Sequence, residues 1–236
     1  MVSLAGLNLE SLVIFGYAVA DVRSSNMTID ISNADQQAAK RPGRVKRRRD
    51  LLGVVYEAVS DNGIDGVGMR EIAERASVST GTLNYHFKNK KQLIMAAMKA
   101  AYELPEDFAT HGSSALSQLK VFVFSAVFRN SKDRFWRFWI NCASQATRDM
   151  ELRDHQNERL ERQQKFWGSL LKAASEAGEI GKIDAEKAAE HLIIFCHGLV
   201  VRQVLRPDKE TRDRARVLLE EYFEELENTS KKKNGK

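Results

Sequence analysis

Cysteine and proline are scarce in this chain of 236 residues, which has two of the first and three of the second. Cys142 and Cys196 lie far apart on apolar helical patterns, and no metal-ligand spacing surrounds them. We therefore predict two reduced thiols in the core, which fits a cytoplasmic protein. The prolines, at positions 42, 105 and 207, each stand at the boundary of a helical pattern rather than inside one.

Catalytic motifs are absent as well. The chain has no Ser/His/Asp order, no HExxH, no Walker-type phosphate loop and no GxGxxG. Its five histidines are scattered, and His191 and His197 are six residues apart, which is a poor spacing for two metal ligands. We therefore predict that the protein is not an enzyme and that it has no cofactor and no metal site.

The apolar run near the N-terminus is not expected to cross a membrane. The apolar stretch at residues 11–20 is too short for that purpose. Glu10 precedes it and Asp21 follows it, whereas a signal peptide would have a basic segment in front. No membrane partner is expected, and residues 1–44 are predicted to form a disordered extension that ends in a polar, basic arm.

Basic residues are concentrated in one quarter of the chain. Residues 40–99 carry 13 Lys and Arg against six Asp and Glu, whereas the whole chain has a net charge of +5. Such a local excess suggests a polyanionic partner, although charge alone leaves a solvated basic surface equally open. Lys46 and Arg47 lie in the densest part and are expected to attract phosphate groups without regard to base sequence.

Helical periodicity continues through the chain beyond this arm, and alternating strand patterns are absent. Four helices are predicted in the first part, at about 45–62, at 69–76, directly after Ser79, and from about Lys90 to Tyr102. Gly63 offers a left-handed stop for the first of them. The fold class is therefore predicted as all-α.

The third of these helices is very short and lies within STGTLNYHFKNK, residues 79–90. Ser79 can cap its N-terminus, and Val78 and Leu83 occupy the two positions of a hydrophobic staple. Phe87 lies one turn after Leu83 on the buried side. The outward face carries no charge and consists of Gly81, Thr82, Asn84 and Tyr85. A helix, a three-residue turn and such a second helix form a helix-turn-helix unit, whose second helix enters the DNA major groove.

The segment MREIAERASVSTGTLNYHFKNKKQLI, residues 69–94, resembles the DNA-binding segment of the tetracycline-repressor (TetR) family of bacterial regulators. The resemblance covers about residues 45–95 and implies an all-helical homodimer of nine-helix protomers that binds double-stranded operator DNA. Two positions depart from the family pattern, because Gly68 stands where Thr or Ser often caps the second helix and Ser77 stands where Gly is usual. The family's DNA contacts, carried over by position, are Arg70, Thr80, Gly81, Thr82, Asn84, Tyr85, His86 and Lys90.

The residues of this set are expected to play different parts. Asn84 is a candidate for reading adenine, and Thr82 for contacting a thymine methyl group. Lys90 stands near a helix N-terminus and is a candidate phosphate clamp. His86 has an alternative role as a packed histidine at the end of the short helix.

A second domain is predicted beyond Pro105, where the charge balance and the pattern change. Its helical segments are 114–128, 133–146, 151–178, 191–205 and 211–226. The last two have more apolar surface than one protomer can bury, and in the TetR family such a pair packs against its copy as a four-helix dimer interface. The predicted divisions are the extension and arm at 1–44, a helix-turn-helix DNA-binding domain with its connecting helix at 45–104, a ligand-binding and dimerisation domain at 105–227, and a polar tail at 228–236.

The segments FWRFW and ERQQKFW, with their spacing to His197, are similar to the BetI-like, choline-responsive branch of the family. The similarity implies a small organic effector, cationic or amine, held by the faces of aromatic rings. Ordinary core packing is the alternative for each ring. The candidate ligand-binding residues are Trp136, Trp139, Phe166 and Trp167, with His197 as a polar contact.

The sequence thus predicts a ligand-responsive, sequence-specific transcriptional regulator. In its simplest form it is a repressor that binds a near-palindromic operator as a dimer. Two alternatives stay open, a repressor of an efflux pump with a lipophilic inducer and a sequence-tolerant architectural DNA-binding protein.

Overall fold

A computed structural model describes residues 42–101, 113–129 and 134–231, with side chains described from Arg48 to Ser230 within those ranges. They form nine helices and no strand, which confirms the predicted fold class. The helices are α1 (Pro42–Asn62), α2 (Met69–Arg75), α3 (Thr80–His86), α4 (Lys90–Ala101), α5 (Ala115–Val127), α6 (Phe135–Ala146), α7 (Met150–Glu176), α8 (Ala185–Leu205) and α9 (Lys209–Lys231).

The described residues divide into two compact units. Residues 42–101 and 134–155 form the first unit, and residues 113–129 and 156–231 form the second. Residues 134–155 therefore group with the first unit, although the sequence-based boundary at 105 assigned them to the second domain. Compactness and function divide a chain by different criteria, so the domain boundaries stay a prediction.

The first and last helices extend slightly beyond the limits predicted from the sequence. Residues 42–44, predicted as the end of the arm, lie in the first turn of α1, and residues 228–231, predicted as tail, end α9. Proline is favoured at the first position of a helix, because its missing amide would have no partner there. The rest of the predicted extension and tail lies outside the described residues.

Helix α1 is the centre of the first unit and packs against α4 and α6. Val55 and Val59 are fully buried on α1, and the Tyr56 ring lies 5.0 Å from that of Phe138 on α6. Cys142 is a reduced, buried thiol in the same core, as predicted. Burying such side chains stabilises the unit by about 1.5–3 kcal/mol each.

Polar contacts fasten α6 to the C-terminal end of α1. The Asn141 amide donates to the carbonyl oxygen of Val59 at 3.2 Å, and the Arg134 guanidinium lies 3.0 Å from Asp61. Gly63 has a φ of +74° and ends α1 in the left-handed conformation that its sequence predicts. The position of α6 in this unit is therefore defined by hydrogen bonds as well as by apolar packing.

The second unit is built on α8, which packs against α5 and α9. Cys196 is its buried free thiol, as predicted, and burial raises the pKa of that thiol to about 12. Within the described ranges, α8 is the one helix whose length and composition would also suit a membrane span. Leu192, Leu199 and Val200 are buried in the unit, which accounts for much of that apolar character.

Candidate DNA-binding helix and sensor interior

The sequence sets the start of α3 through two local features. The Ser79 hydroxyl accepts a hydrogen bond from the Thr82 amide at 3.0 Å, which confirms the predicted cap. Ser77, in the turn before it, has a φ of +53° and thus takes the left-handed conformation that glycine usually supplies. The turn is closed by the Val78 amide, which donates to the Ala73 carbonyl at 2.9 Å.

Helix α3 buries one face and exposes the other, as predicted. Leu83 and Phe87 are buried in the core of the first unit. Tyr85 is 69% exposed and Asn84 is exposed, and the Asn84 side chain makes no hydrogen bond within the described part of the chain. A Cβ atom at Gly81 would meet only the Ser79 hydroxyl, at 3.6 Å. This face can therefore approach another surface closely.

Thr82 and His86 are more enclosed than the outward residues. Thr82 is half-buried, and its hydroxyl lies 2.9 Å from that of Ser79. The His86 ring is half-buried and lies edge-on to Tyr85, at 5.4 Å between ring centroids. Both side chains would have to leave or share these contacts to bind DNA, so Asn84 and Tyr85 are the more accessible of the predicted contacts.

The flanking basic residues lie at helix ends. Arg70, in the first turn of α2, is exposed and pairs with Glu74 at 3.0 Å, a surface ion pair that costs little to break. Lys90 is the first residue of α4, next to Asn89, whose side chain accepts from the Gln92 amide at 2.9 Å and caps that helix. The cap at Asn89 was not predicted. The side chains of Lys46 and Arg47 lie outside the described residues.

Lys91 connects α4 to the beginning of α7. Its Nζ lies 2.9 Å from Asp149 and 2.8 Å from Glu151. The hydrogen bonds to Glu151 and Asp149 raise the pKa of Lys91, and the hydrogen bond from Lys91 lowers the pKa of Asp149. Asp149 also caps α7 by accepting from the Leu152 amide at 3.2 Å. Sequence reasoning missed this contact, because the residues are far apart in the chain and have no shared pattern.

The predicted ligand-binding residues fall into both units. Trp136 and Trp139 are in the first unit, with their rings edge-to-face at 5.5 Å, and both pack against its core. Phe166, Trp167 and His197 are in the second unit. Phe166 lies edge-on to Phe122 at 4.9 Å, and Trp167 is 1% exposed. The roles of all five residues stay predictions.

Buried polar residues accompany His197 in the second unit. Arg159 and Gln163, on α7, are buried, and Arg159 Nη1 donates to Gln163 Oε1 at 3.1 Å. Burial, and to a smaller degree the charge of Arg159, lowers the pKa of His197 to about 4. His197 is therefore neutral at physiological pH. The burial of these two polar residues could have been predicted from the sequence. Gln163 and Arg159 stand four and eight positions before Trp167, on the same side of the helix as its apolar stripe.

Apolar side chains are exposed along one side of α8. Ile194 is 63% exposed and Leu205 is 79% exposed. Between them lies Gly198, where an added Cβ would meet no atom within 4 Å. Val217 on α9 is also exposed. Such a stripe is of the kind that a second protein surface covers.

Comparison with known proteins gives matches in both parts of the chain. The family profile described as "Bacterial regulatory proteins, tetR family" matches residues 56–97. The profile described as "BetI-type transcriptional repressor, C-terminal" matches residues 121–227. The first match contains the helix-turn-helix segment, and the second contains the buried polar residues of α7.

Individual relatives are similar over most of their length. The transcriptional regulator TtgR of Pseudomonas putida is 25% identical over 171 residues, which are 68% of this chain and 81% of TtgR. BetI 1 of Chromohalobacter salexigens is 26% identical over 186 residues, 76% of this chain and 89% of BetI 1. The choline complex of a Saccharomonospora viridis protein has a TM-score of 0.69 at 20% identity, covering 76% of this chain and 96% of that one, and shows the fold.

Proposed function

Because the chain belongs to the TetR family of transcriptional regulators, and its C-terminal part is of the BetI type, we propose that it is a repressor whose dimer binds a near-palindromic operator and is released by a small organic effector. Membership of the family makes it a DNA-binding, ligand-responsive transcriptional regulator and not an enzyme. The proposal adds the sign of regulation, the symmetry of the operator and the place of action, which is the cytoplasm.

The exposed face of α3 is the observation that carries the proposal. It presents Asn84 and Tyr85 without any acidic side chain on the helix, while Leu83 and Phe87 hold it on the core. An asparagine amide can both donate to and accept from an adenine edge in the major groove. Lys90 lies at the start of the next helix, where its charge and the free backbone amides both favour a phosphate.

A second copy of the chain is the partner that suits the exposed side of α8. Ile194, Gly198 and Leu205 recur at helical spacing, so they share one side. A two-fold axis places the same stripe of each protomer against the other, and glycine lets the two helices approach closely. Dimerisation doubles the number of reading helices, and a two-fold dimer favours an operator with dyad symmetry.

The effector acts by shifting a population of dimers. A ligand that prefers the non-binding dimer by about 100-fold shifts the equilibrium by about 2.7 kcal/mol, enough to empty a weakly occupied operator. The sequence-based prediction is a cationic or amine effector, which rests on the aromatic segments of the sequence and is supported by the similarity to a Saccharomonospora viridis protein solved in complex with choline. A repressor of an efflux pump with a lipophilic inducer would use the same architecture, so that alternative stays open. An architectural DNA-binding protein has no need of the second unit.

Two substitutions separate base reading from phosphate binding. We expect Asn84→Ala to weaken binding to the selected operator by roughly 1–3 kcal/mol, because it removes a base contact, and to leave binding to random DNA unchanged. Lys90→Ala should weaken both and reduce the salt dependence of binding. Fluorescence anisotropy with labelled duplexes measures these effects.

Lys99→Ala is the matched control for the second substitution, because Lys99 is exposed in the last turn of the same helix. It should leave both affinities within twofold of the parent protein. Equal loss of operator and random-DNA binding in Asn84→Ala would show that Asn84 does not read a base.

A further inference from the structure

Polar side chains interrupt the apolar inner face of α7 in the second unit. Gln156, Arg159 and Gln163 are all buried, and their spacing of three and four residues puts them on one side of the helix. From Trp167 onward the same side is apolar. A polar stretch about 10 Å long therefore adjoins an apolar stretch inside one unit.

Arg159 makes that polar stretch positive. Its side chain is 8% exposed and donates to Gln163 at 3.1 Å. An arginine stays protonated in a protein, and its planar fork of N–H groups matches a carboxylate. The same charge reaches α8, where it adds to the effect of burial in lowering the pKa of His197. The field at His197 thus disfavours a positive charge, on the imidazole or on a ligand beside it.

Trp167 adds a hydrogen-bond donor to this interior. The ring is 1% exposed, and Nε1 has no acceptor among the residues that the structure describes. An indole N–H can only donate, and buried donors in proteins are normally paired. Gln163, one turn earlier, uses its Oε1 atom for Arg159. The Trp167 N–H is therefore a buried donor that an acceptor on a ligand can pair.

We propose that the second unit binds a small organic anion, namely a carboxylate with an apolar or aromatic body. The carboxylate faces Arg159 and accepts from the neighbouring donors, and the body lies along the aromatic part of α7 at Phe166 and Trp167. The apolar stretch makes an inorganic anion a poorer match. This inference rests on the effector-binding function proposed above and gives the effector the charge opposite to that of the amine prediction.

The structure of the second unit supports an amine ligand less well than a carboxylate. Trp136 and Trp139, two of the rings on which that prediction relied, lie in the first unit and pack against its core. In the second unit the Trp167 ring is buried, and His197 lies in the field of a buried arginine. A cation would therefore lose its hydration and gain a repulsive neighbour.

Calorimetric titration of the full chain with matched probes tests the proposal. The probes are phenylacetate, phenylacetamide and 2-phenylethylamine, then hexanoate, hexanamide and hexylamine, with choline as a further cation. We expect at least one carboxylate to bind, and its amide and amine to bind at least tenfold more weakly. Binding of choline or an amine without any carboxylate overturns the proposal, and so does the absence of carboxylate binding.

Variants then assign the binding to the buried face of α7. Arg159→Gln should weaken carboxylate binding at least tenfold, whereas Arg162→Gln, at an exposed position of the same helix, should change it less than twofold. Trp167→Phe keeps an aromatic ring, although a smaller one, and removes the N–H, so it should weaken binding severalfold. If Arg159→Gln binds the carboxylate as tightly as the parent protein, the proposal is overturned. If Arg159→Gln does not fold, the same result in Trp167→Phe overturns the proposal.

DNA binding by the same preparation distinguishes this inference from the proposed function. If the protein binds a selected operator but no carboxylate, only the proposal of an anionic effector is contradicted. A chain that has no preference for any DNA sequence contradicts the proposed function, whatever the titration shows.

Discussion

Ser77 keeps a non-glycine residue in the left-handed region, in the turn between α2 and α3. Its side chain is exposed, so no core contact compensates for the backbone conformation. The sequence analysis identified this position as a departure from the family pattern, because glycine is usual there. The strain acts on the turn that orients α3, and we expect it to lower the stability of the first unit.

Ser77→Gly should raise the free energy of unfolding by up to about 1 kcal/mol, because glycine adopts positive φ without steric cost. Thermal or urea unfolding measures the change. Ser144→Gly, at an exposed position in the last turn of α6, is the matched control and should lower stability by about 0.5 kcal/mol. Equal destabilisation by the two substitutions would show that the turn is not strained.

His197 should make stability depend on pH. Its pKa is about 4 in the folded chain against an ordinary value of 6.5, so the unfolded chain binds more protons between those values. The contribution of His197 to the free energy of unfolding is then fully present above pH 6.5. It is lost as the pH is lowered toward 4, by at most about 3 kcal/mol. Urea unfolding at several pH values measures the slope, and His197→Gln should reduce it. An unchanged slope in that variant would place the pH dependence elsewhere.

At the scale of elements, the apolar period of a helix predicted its position in the sequence. Where a helix begins with polar residues, the period did not predict where it starts. The segment predicted at 191–205 is α8, which in the structure begins at Ala185 and is capped by Asp184. Its first turns, AEKAAE, contain alanine and charge but little apolar period, so periodicity could not reveal them. The capping aspartate was the available signal.

The exposed side of α8 gives a prediction about that helix. Gly198→Arg adds a side chain where the protomer has open space, and it removes a glycine from a helix, so the protomer should fold at least as well. A dimer built on this side would lose its close approach and acquire two facing charges. We expect the weight-average mass in sedimentation to fall toward that of one chain. Ala173→Arg, at an exposed position on α7, is the control and should leave the mass unchanged. A Gly198→Arg protein that remains a dimer would show that the interface lies elsewhere.

At the scale of the whole molecule, the sequence predicted which segments are helices and which short helix faces outward. It could not predict contacts between residues distant in the chain. Lys91 with Asp149, and Asn141 with Val59, are brought together by tertiary packing and share no local pattern. The sequence also could not assign Trp136 to the first unit and Trp167 to the second. An apolar stripe in the sequence shows that a helix is buried on one side, but it does not show which helices it packs against.

Selection of binding sites from a library of random double-stranded DNA tests the central claim most directly. Repeated rounds of selection with the full chain, followed by sequencing of the bound duplexes, identify the site that the protein prefers. We predict an inverted repeat whose half-sites are centred about one helical turn or slightly more apart, because a two-fold dimer presents two copies of α3 to the DNA. Enrichment of a site without dyad symmetry, or of no sequence at all, would contradict a dimeric, sequence-reading regulator.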